Sequence, residues 1–138
     1  MICHAFTDGA SRGNPGESGI GVIVRDEQGN VVYTTFGHIG TTTNNVAEYT
    51  ALLHLLKQMS ARSCSRLIAH SDSELMVRQI NGEYRVKDEE LRKYVQKIVR
   101  LLEKAPFQFE LRHVRREENR EADKLANRGI DSKKHIRV

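Results

Sequence analysis

The stretch Phe6-Thr7-Asp8-Gly9-Ala10-Ser11-Arg12-Gly13-Asn14-Pro15-Gly16 decides how the rest of the chain is read. Upstream of Asp8, Ile2, His4 and Phe6 alternate with Cys3, Ala5 and Thr7, which predicts a strand over residues 2–8. A glycine-rich turn is expected at once after it. An acid at the end of a strand, with flexible backbone behind it, can stand in a cleft and hold a metal. One such acid proves little. The question is whether other acids arrive at equivalent places.

Downstream, Gly19 to Arg25 is a β-branched run, Asp26 to Asn30 a turn, and Val31 to Phe36 a third strand. Three strands with short connections predict an antiparallel meander. Gly21 weakens its strand, so a bulge or a close backbone approach is expected there. After the polar Thr41-Thr42-Thr43-Asn44-Asn45, the residues Val46, Tyr49, Leu52, Leu53, Leu56 and Met59 recur at helical spacing. Leu67 to Ser71 predicts a fourth strand, ending in Asp72. A short helix closes at Asn81-Gly82, and a longer one stops before Pro106. Phe107 to His113 alternates as a fifth strand, and Ala122, Leu125, Ala126 and Ile130 mark a final helix. The order βββαβααβα is α/β: a mixed five-stranded sheet, an antiparallel meander plus parallel crossover strands, flanked by helices. Ligands of parallel crossover strands bind at their carboxyl ends. If strands one and four are neighbours, Asp8 and Asp72 meet there.

The bulk properties bound the function. A chain of 138 residues with 38% apolar and 29% charged residues is expected to form one globular domain, residues 1–131, with a loose basic tail at 132–138. No apolar run is long enough to span a membrane, and the N-terminus lacks a secretory pattern. The expectation is therefore a cytoplasmic monomer without membrane or protein partners, with Cys3 and Cys64 as reduced thiols. The net charge of +4 suits a polyanion partner. Arg112, Arg115, Arg116, Arg120, Lys124 and Arg128 crowd one segment, although Glu117, Glu118 and Glu121 are interleaved and a solvated helix face reads equally well.

Four acids carry the chemistry: Asp8, Glu48, Asp72 and Asp123. Singly, each has a plain structural reading. Asp8 and Asp72 could serve as turn or cap acids, Glu48 could close a capping box with Asn45, and Asp123 could be a solvated helix acid. Together they suggest a cluster. Clustered carboxylates repel one another, and a divalent cation offsets the repulsion. Oxygen-only ligands favour Mg²⁺ or Mn²⁺ over zinc, and two such ions serve phosphodiester cleavage.

The blocks Thr7-Asp8-Gly9-Ala10 with Asn14-Pro15-Gly16, Thr43-Asn44-Asn45-Val46-Ala47-Glu48, Ser71-Asp72-Ser73, and Asn119 to Ala126 resemble, in order and spacing, those of the type 1 ribonuclease H family. The resemblance covers residues 2 to about 130. It implies an endonuclease using two Mg²⁺ ions that cleaves the RNA strand of RNA–DNA hybrids. Asp8, Glu48, Asp72 and Asp123 match the metal-binding acids. Asn14, Asn44 and Asn45 match residues that touch the hybrid's minor groove, and Asn119, which matches the asparagine before the last acid, is counted with the nucleic-acid contacts. Arg115 and Arg116 are expected to hold phosphates. Many members carry a loop histidine before the last helix and a basic, tryptophan-bearing insertion. Here the loop is Val114 to Glu118, His113 precedes it as a strand residue, and the chain has no Trp. The runner-up readings are a hybrid- or duplex-binding module with little cleavage, and a nuclease of the same fold acting on duplex RNA.

Overall fold

A computed structural model describes the whole chain, Met1–Val138. Its elements are β1 (Ile2–Gly13), β2 (Gly16–Arg25), β3 (Val31–Thr42), α1 (Asn44–Met59), β4 (Arg66–Ser71), α2 (Glu74–Ile80), α3 (Glu89–Glu103), β5 (Gln108–His113), a short 3₁₀ turn (Arg116–Glu118) and α4 (Arg120–Ser132). The sheet order is β3-β2-β1-β4-β5. The first three strands pair antiparallel, and β4 is parallel to both β1 and β5. The expected meander and crossovers are therefore present, with strands one and four as neighbours.

Helix α1 covers one face of the sheet, and Tyr49, Leu52, Leu55, Leu56 and Met59 are fully buried there. The amphipathic α3 packs its Leu91 and Ile98 side against the same core. Helix α4 packs across the other face, over β1, β2 and β3. No helix is long and apolar enough to cross a membrane.

The first strand is longer than its glycines suggest. It runs through Gly9 and Ala10 to Gly13, so Asp8 lies inside a strand and the turn comes only at Asn14-Pro15. A backbone without side chains still hydrogen-bonds, and β2 supplies ten paired positions from His4 to Gly13. Gly9 has a packing reason. A Cβ there would stand 2.2 Å from the Ala47 carbonyl carbon of α1. Gly21, opposite Asp8 on β2, does the same for α4, where a Cβ would meet the Ala122 carbonyl oxygen at 2.5 Å. The close approach expected at Gly21 is thus found. The bulges of that strand lie elsewhere, at Ser18/Gly19 and Val24/Arg25.

Two expectations are corrected. Cys3 and Cys64 are disulfide-bonded, not free thiols. The parallel register sets Cys3 opposite Leu67, three residues past Cys64, and the two Cα atoms stand 6.0 Å apart. The C-terminal tail is docked rather than loose. His38 N–H donates to the Lys134 carbonyl and Ile136 N–H to the His38 carbonyl, so the tail adds to the outer edge of β3.

Candidate metal and nucleic-acid site

The β1/β4 register brings the first two acids together. Its last pair is Phe6 with His70, and two residues further on in the chain from each lie Asp8, still within β1, and Asp72, just past the end of β4. Glu48 enters from the second turn of α1, where Gly9 N–H donates to its Oε1 at 2.8 Å. Carboxylate oxygens of Asp8, Glu48 and Asp72 lie within 4.8 Å of one another. Asp123, in the first turns of α4, lies near enough to Asp8 to help raise its pKa. It lies outside the tight group of three, and Asn127 Nδ2 donates to its backbone and side-chain oxygens.

The plain readings of these acids do not survive the geometry. Asp72 does not cap α2, because Ser73 holds that role through its bond from Met76 N–H. Glu48 closes no capping box, because Thr43 is the cap of α1 and Glu48 turns to Gly9 instead. Asp8 is a strand residue, 5% exposed.

Burial and crowding set the electrostatics. Desolvation, then the Asp72 charge, then Asp123 push the Asp8 carboxyl up to about 8. Glu48 is raised well above its ordinary range, first by burial and then by Asp8 and Asp72. The Gly9 amide pulls it partly back. No lysine or arginine forms an ion pair with any of the four acids; the arginines and lysines that pair do so elsewhere. Clustered carboxylates, two of them buried, with no protein cation and only oxygen donors, fit a hard divalent cation.

The remaining residues divide. Asn44, Glu48, Asp72, Ser73 and Arg116 line an open cleft of about 340 Å³, which puts Asn44 and Arg116 beside the acids. Asn45 is exposed at the start of α1 and shares a neighbouring depression with Asn14, Thr43, Asp88 and Glu90. Since Thr43 does the capping, the side chains of Asn44 and Asn45 are left over for other partners. Asn14 Oδ1 accepts from Asn44 N–H at 3.1 Å, tying the β1–β2 turn to the helix start. Arg115 points to solvent, its side chain 80% exposed and paired with Glu118. Asn119, expected among the residues facing the hybrid, is 1% exposed. Its amide donates to the Thr7 carbonyl at 2.9 Å and to Asp72 Oδ2 at 3.3 Å, so it positions the acid from inside. Sequence reading missed that role. Only its place just before a helix rich in small residues hinted that it would be buried. His113 is a strand residue, as expected, and stands exposed at the end of β5.

A sheet of order 3-2-1-4-5, with acids converging from β1, α1 and β4 and a fourth from the last helix, is a ribonuclease H-like fold. The family described as reverse transcriptase-like matches residues 6–129. A ribonuclease HI of Halobacterium salinarum is 36% identical over 129 residues, covering 93% of this chain and 64% of that protein. A bifunctional protein of Mycobacterium tuberculosis is 36% identical over 127 residues, which is 91% of this chain and 34% of that protein. The chain thus spans about two thirds of the one relative and a third of the other. The crystal structure of LC11-RNase H1 in complex with an RNA/DNA hybrid matches with a TM-score of 0.89 at 39% identity, covering 94% of this chain and 97% of that one. The chain belongs to the type 1 ribonuclease H family.

Proposed function

We propose that the chain is an endoribonuclease that hydrolyses the RNA strand of RNA–DNA hybrids. The observation that carries this reading is the convergence of Asp8, Glu48 and Asp72 oxygens within 4.8 Å, unpaired by any protein cation, in a cleft that Arg116 and Asn44 also line. A module that only bound nucleic acid would gain nothing from anions facing phosphate. The relative solved with an RNA/DNA hybrid supports the choice of substrate.

Asp8, Glu48, Asp72 and Asp123 would hold the metal, which we assign as two Mg²⁺ ions with Mn²⁺ as a substitute. Such ions supply charge neutralisation and a nucleophilic water at neutral pH. The chain's own residues do the rest. Gly9 N–H and the Asn119 amide fix the Glu48 and Asp72 carboxylates, so the oxygens are aimed before any ligand arrives. Arg116 offers its guanidinium to a phosphate at the cleft. Asn44 and Asn45, freed from capping, offer amides to the shallow minor groove, where only the RNA strand carries 2′-hydroxyls. Water attacks phosphorus, the bond to the 3′-oxygen breaks, and the products carry 5′-phosphate and 3′-hydroxyl ends.

The reading places a monomer in the cytoplasm. There the Cys3–Cys64 bond is shielded, its residues being 0% and 4% exposed. The deciding experiment is a cleavage assay on labelled hybrid, duplex RNA and duplex DNA, each with Mg²⁺, Mn²⁺ or chelator. We expect hybrid cleavage with either cation and none in chelator. Full activity in excess chelator, or preference for duplex RNA, overturns the reading.

A further inference from the structure

The depression beside the acid cleft carries the wrong sign of charge for a phosphate track. Asn14, Thr43 and Asn45 line it together with Asp88, Glu90 and Leu91 from around the start of α3. Its volume is about 190 Å³, and no lysine or arginine is among its lining residues.

The two acids differ. Asp88 is used by the fold, because Leu91 N–H donates to its Oδ1 at 3.0 Å and so caps α3. Glu90 caps nothing and forms no salt bridge. The nearby Arg92 donates to the Val86 carbonyl instead. An acid in a first helical turn offsets the helix dipole, and that account covers Glu89 and Glu90 alike. It does not explain why Glu90 shares a depression with two exposed asparagines.

The chemistry of a carboxylate narrows its partners. Its oxygens only accept hydrogen bonds, so phosphates repel it. The minor-groove edge of an A·T pair offers acceptors alone, and the 2-amino group of guanine is the one base donor in that groove. The 2′-hydroxyl is also a donor, but every RNA nucleotide carries it, so it conveys no sequence. We propose that Glu90 is a specificity-determining residue that accepts from the 2-amino group of guanine, so that the chain favours hybrids with a G·C pair against this depression. The inference rests on the hybrid-binding reading above, in which Asn45 meets the minor groove.

The test is fluorescence anisotropy with short fluorescein-labelled hybrids of A·T and A·U pairs around one central G·C pair. The comparison hybrids carry inosine in place of the guanine, which keeps the pairing with cytosine and removes only the 2-amino group. The guanine is placed in the RNA strand in one set and in the DNA strand in the other. Binding is read in chelator at fixed low salt, so the result does not depend on cleavage. We expect the parent to bind the guanine hybrid of one set roughly fivefold more tightly than its inosine counterpart. Glu90→Ala should bind the two alike, and Glu90→Gln, which keeps an acceptor without the charge, should retain part of the preference. Glu90 is exposed, and an unchanged melting temperature will show that each variant folds. The proposal is overturned if the parent does not distinguish guanine from inosine in either set, or if Glu90→Ala keeps the parent's ratio. It is equally overturned if both variants tighten binding to every hybrid with the ratio unchanged, which would make Glu90 a merely repulsive charge. A parent that binds no hybrid overturns the functional reading, and this inference with it.

Discussion

At the start of α1, Glu48 is buried against Asp8 and Asp72, whereas at its end Lys57 stands with Lys97, Arg100 and Lys104 around an open groove. Both ends concentrate one sign of charge without protein counter-ions. They differ in burial. Asp8 and Glu48 are desolvated, and the neighbouring acids add to the upward push on both. The cations keep their heads in water and need no compensation to fold. Unpaired surface charge is a cheap recognition device, while unpaired buried charge is a strained one that demands a specific ligand.

The largest effect should follow from Asp72→Asn at the buried end. Removing one anion relieves repulsion, so the metal-free variant should melt at the same or a higher temperature than the parent. Hybrid cleavage should fall by orders of magnitude, and stabilisation by saturating Mg²⁺ should shrink. Near-parental cleavage, or a much lower melting point in chelator, would remove Asp72 from the site.

The second effect is on pH. The folded-state pKa of Asp8 is raised from 3.8 to about 8, so the metal-free fold binds a proton that the unfolded chain has released. Its stabilising contribution is complete below the unfolded value and is lost as pH rises through about 8. Burial lowers the pKa of His54 and His70, which act in the opposite direction, as their contribution is lost when pH falls. The clean measure is therefore the stability of the parent minus that of Asp8→Asn in chelator. This difference should decline by an amount on the order of a few kcal/mol between acid and alkaline pH. A flat difference would mean that neither burial nor the neighbouring acids raise the Asp8 carboxyl.

How far these residues could be read without the structure depends on what each depends on. The antiparallel meander and the parallel crossovers were legible from alternation and chain order, while the meeting of Asp8 with Asp72 was legible only on the condition, met in the structure, that β1 and β4 are neighbours. Glu48 was legible from its place among the apolar residues of α1. The course of β1 past Gly9 was not, because its strand state comes from β2 and from contact with Ala47, both remote in sequence. The Cys3–Cys64 bond and the docked tail were missed for the same reason. Each joins segments far apart in the chain, and local composition carries no trace of the partner. The burial of Asn119 was not legible either, since sequence marks its nearness to Asp123 and not its bond to Asp72.

Smaller effects refine the border of the acid cleft. Asn45→Ala should weaken hybrid binding by about 1 kcal/mol and leave duplex DNA binding nearly unchanged. Equal losses on both, measured by titration at fixed salt, would deny it a minor-groove role. The two arginines should separate. Arg116→Ala should reduce the salt slope of hybrid affinity by roughly one unit, while Arg115→Ala, already paired with Glu118, should barely move it. Equal slopes for the two variants would mean that proximity to the cleft is not what matters.

Gly9 and Gly21 have a consequence for ligand capture. Because a methyl group at either would collide with helix backbone at 2.2 and 2.5 Å, α1 and α4 touch the sheet backbone directly at these two points. Such contacts leave little room for rocking or sliding, so the carboxylates cannot drift apart to ease their repulsion. The freedom that a floppy site would lose on binding a cation has already been lost when the chain folds. Binding of a divalent ion should therefore be entropically favoured over binding by the same acids displayed on loops, with Gly9 and Gly21 contributing through packing alone.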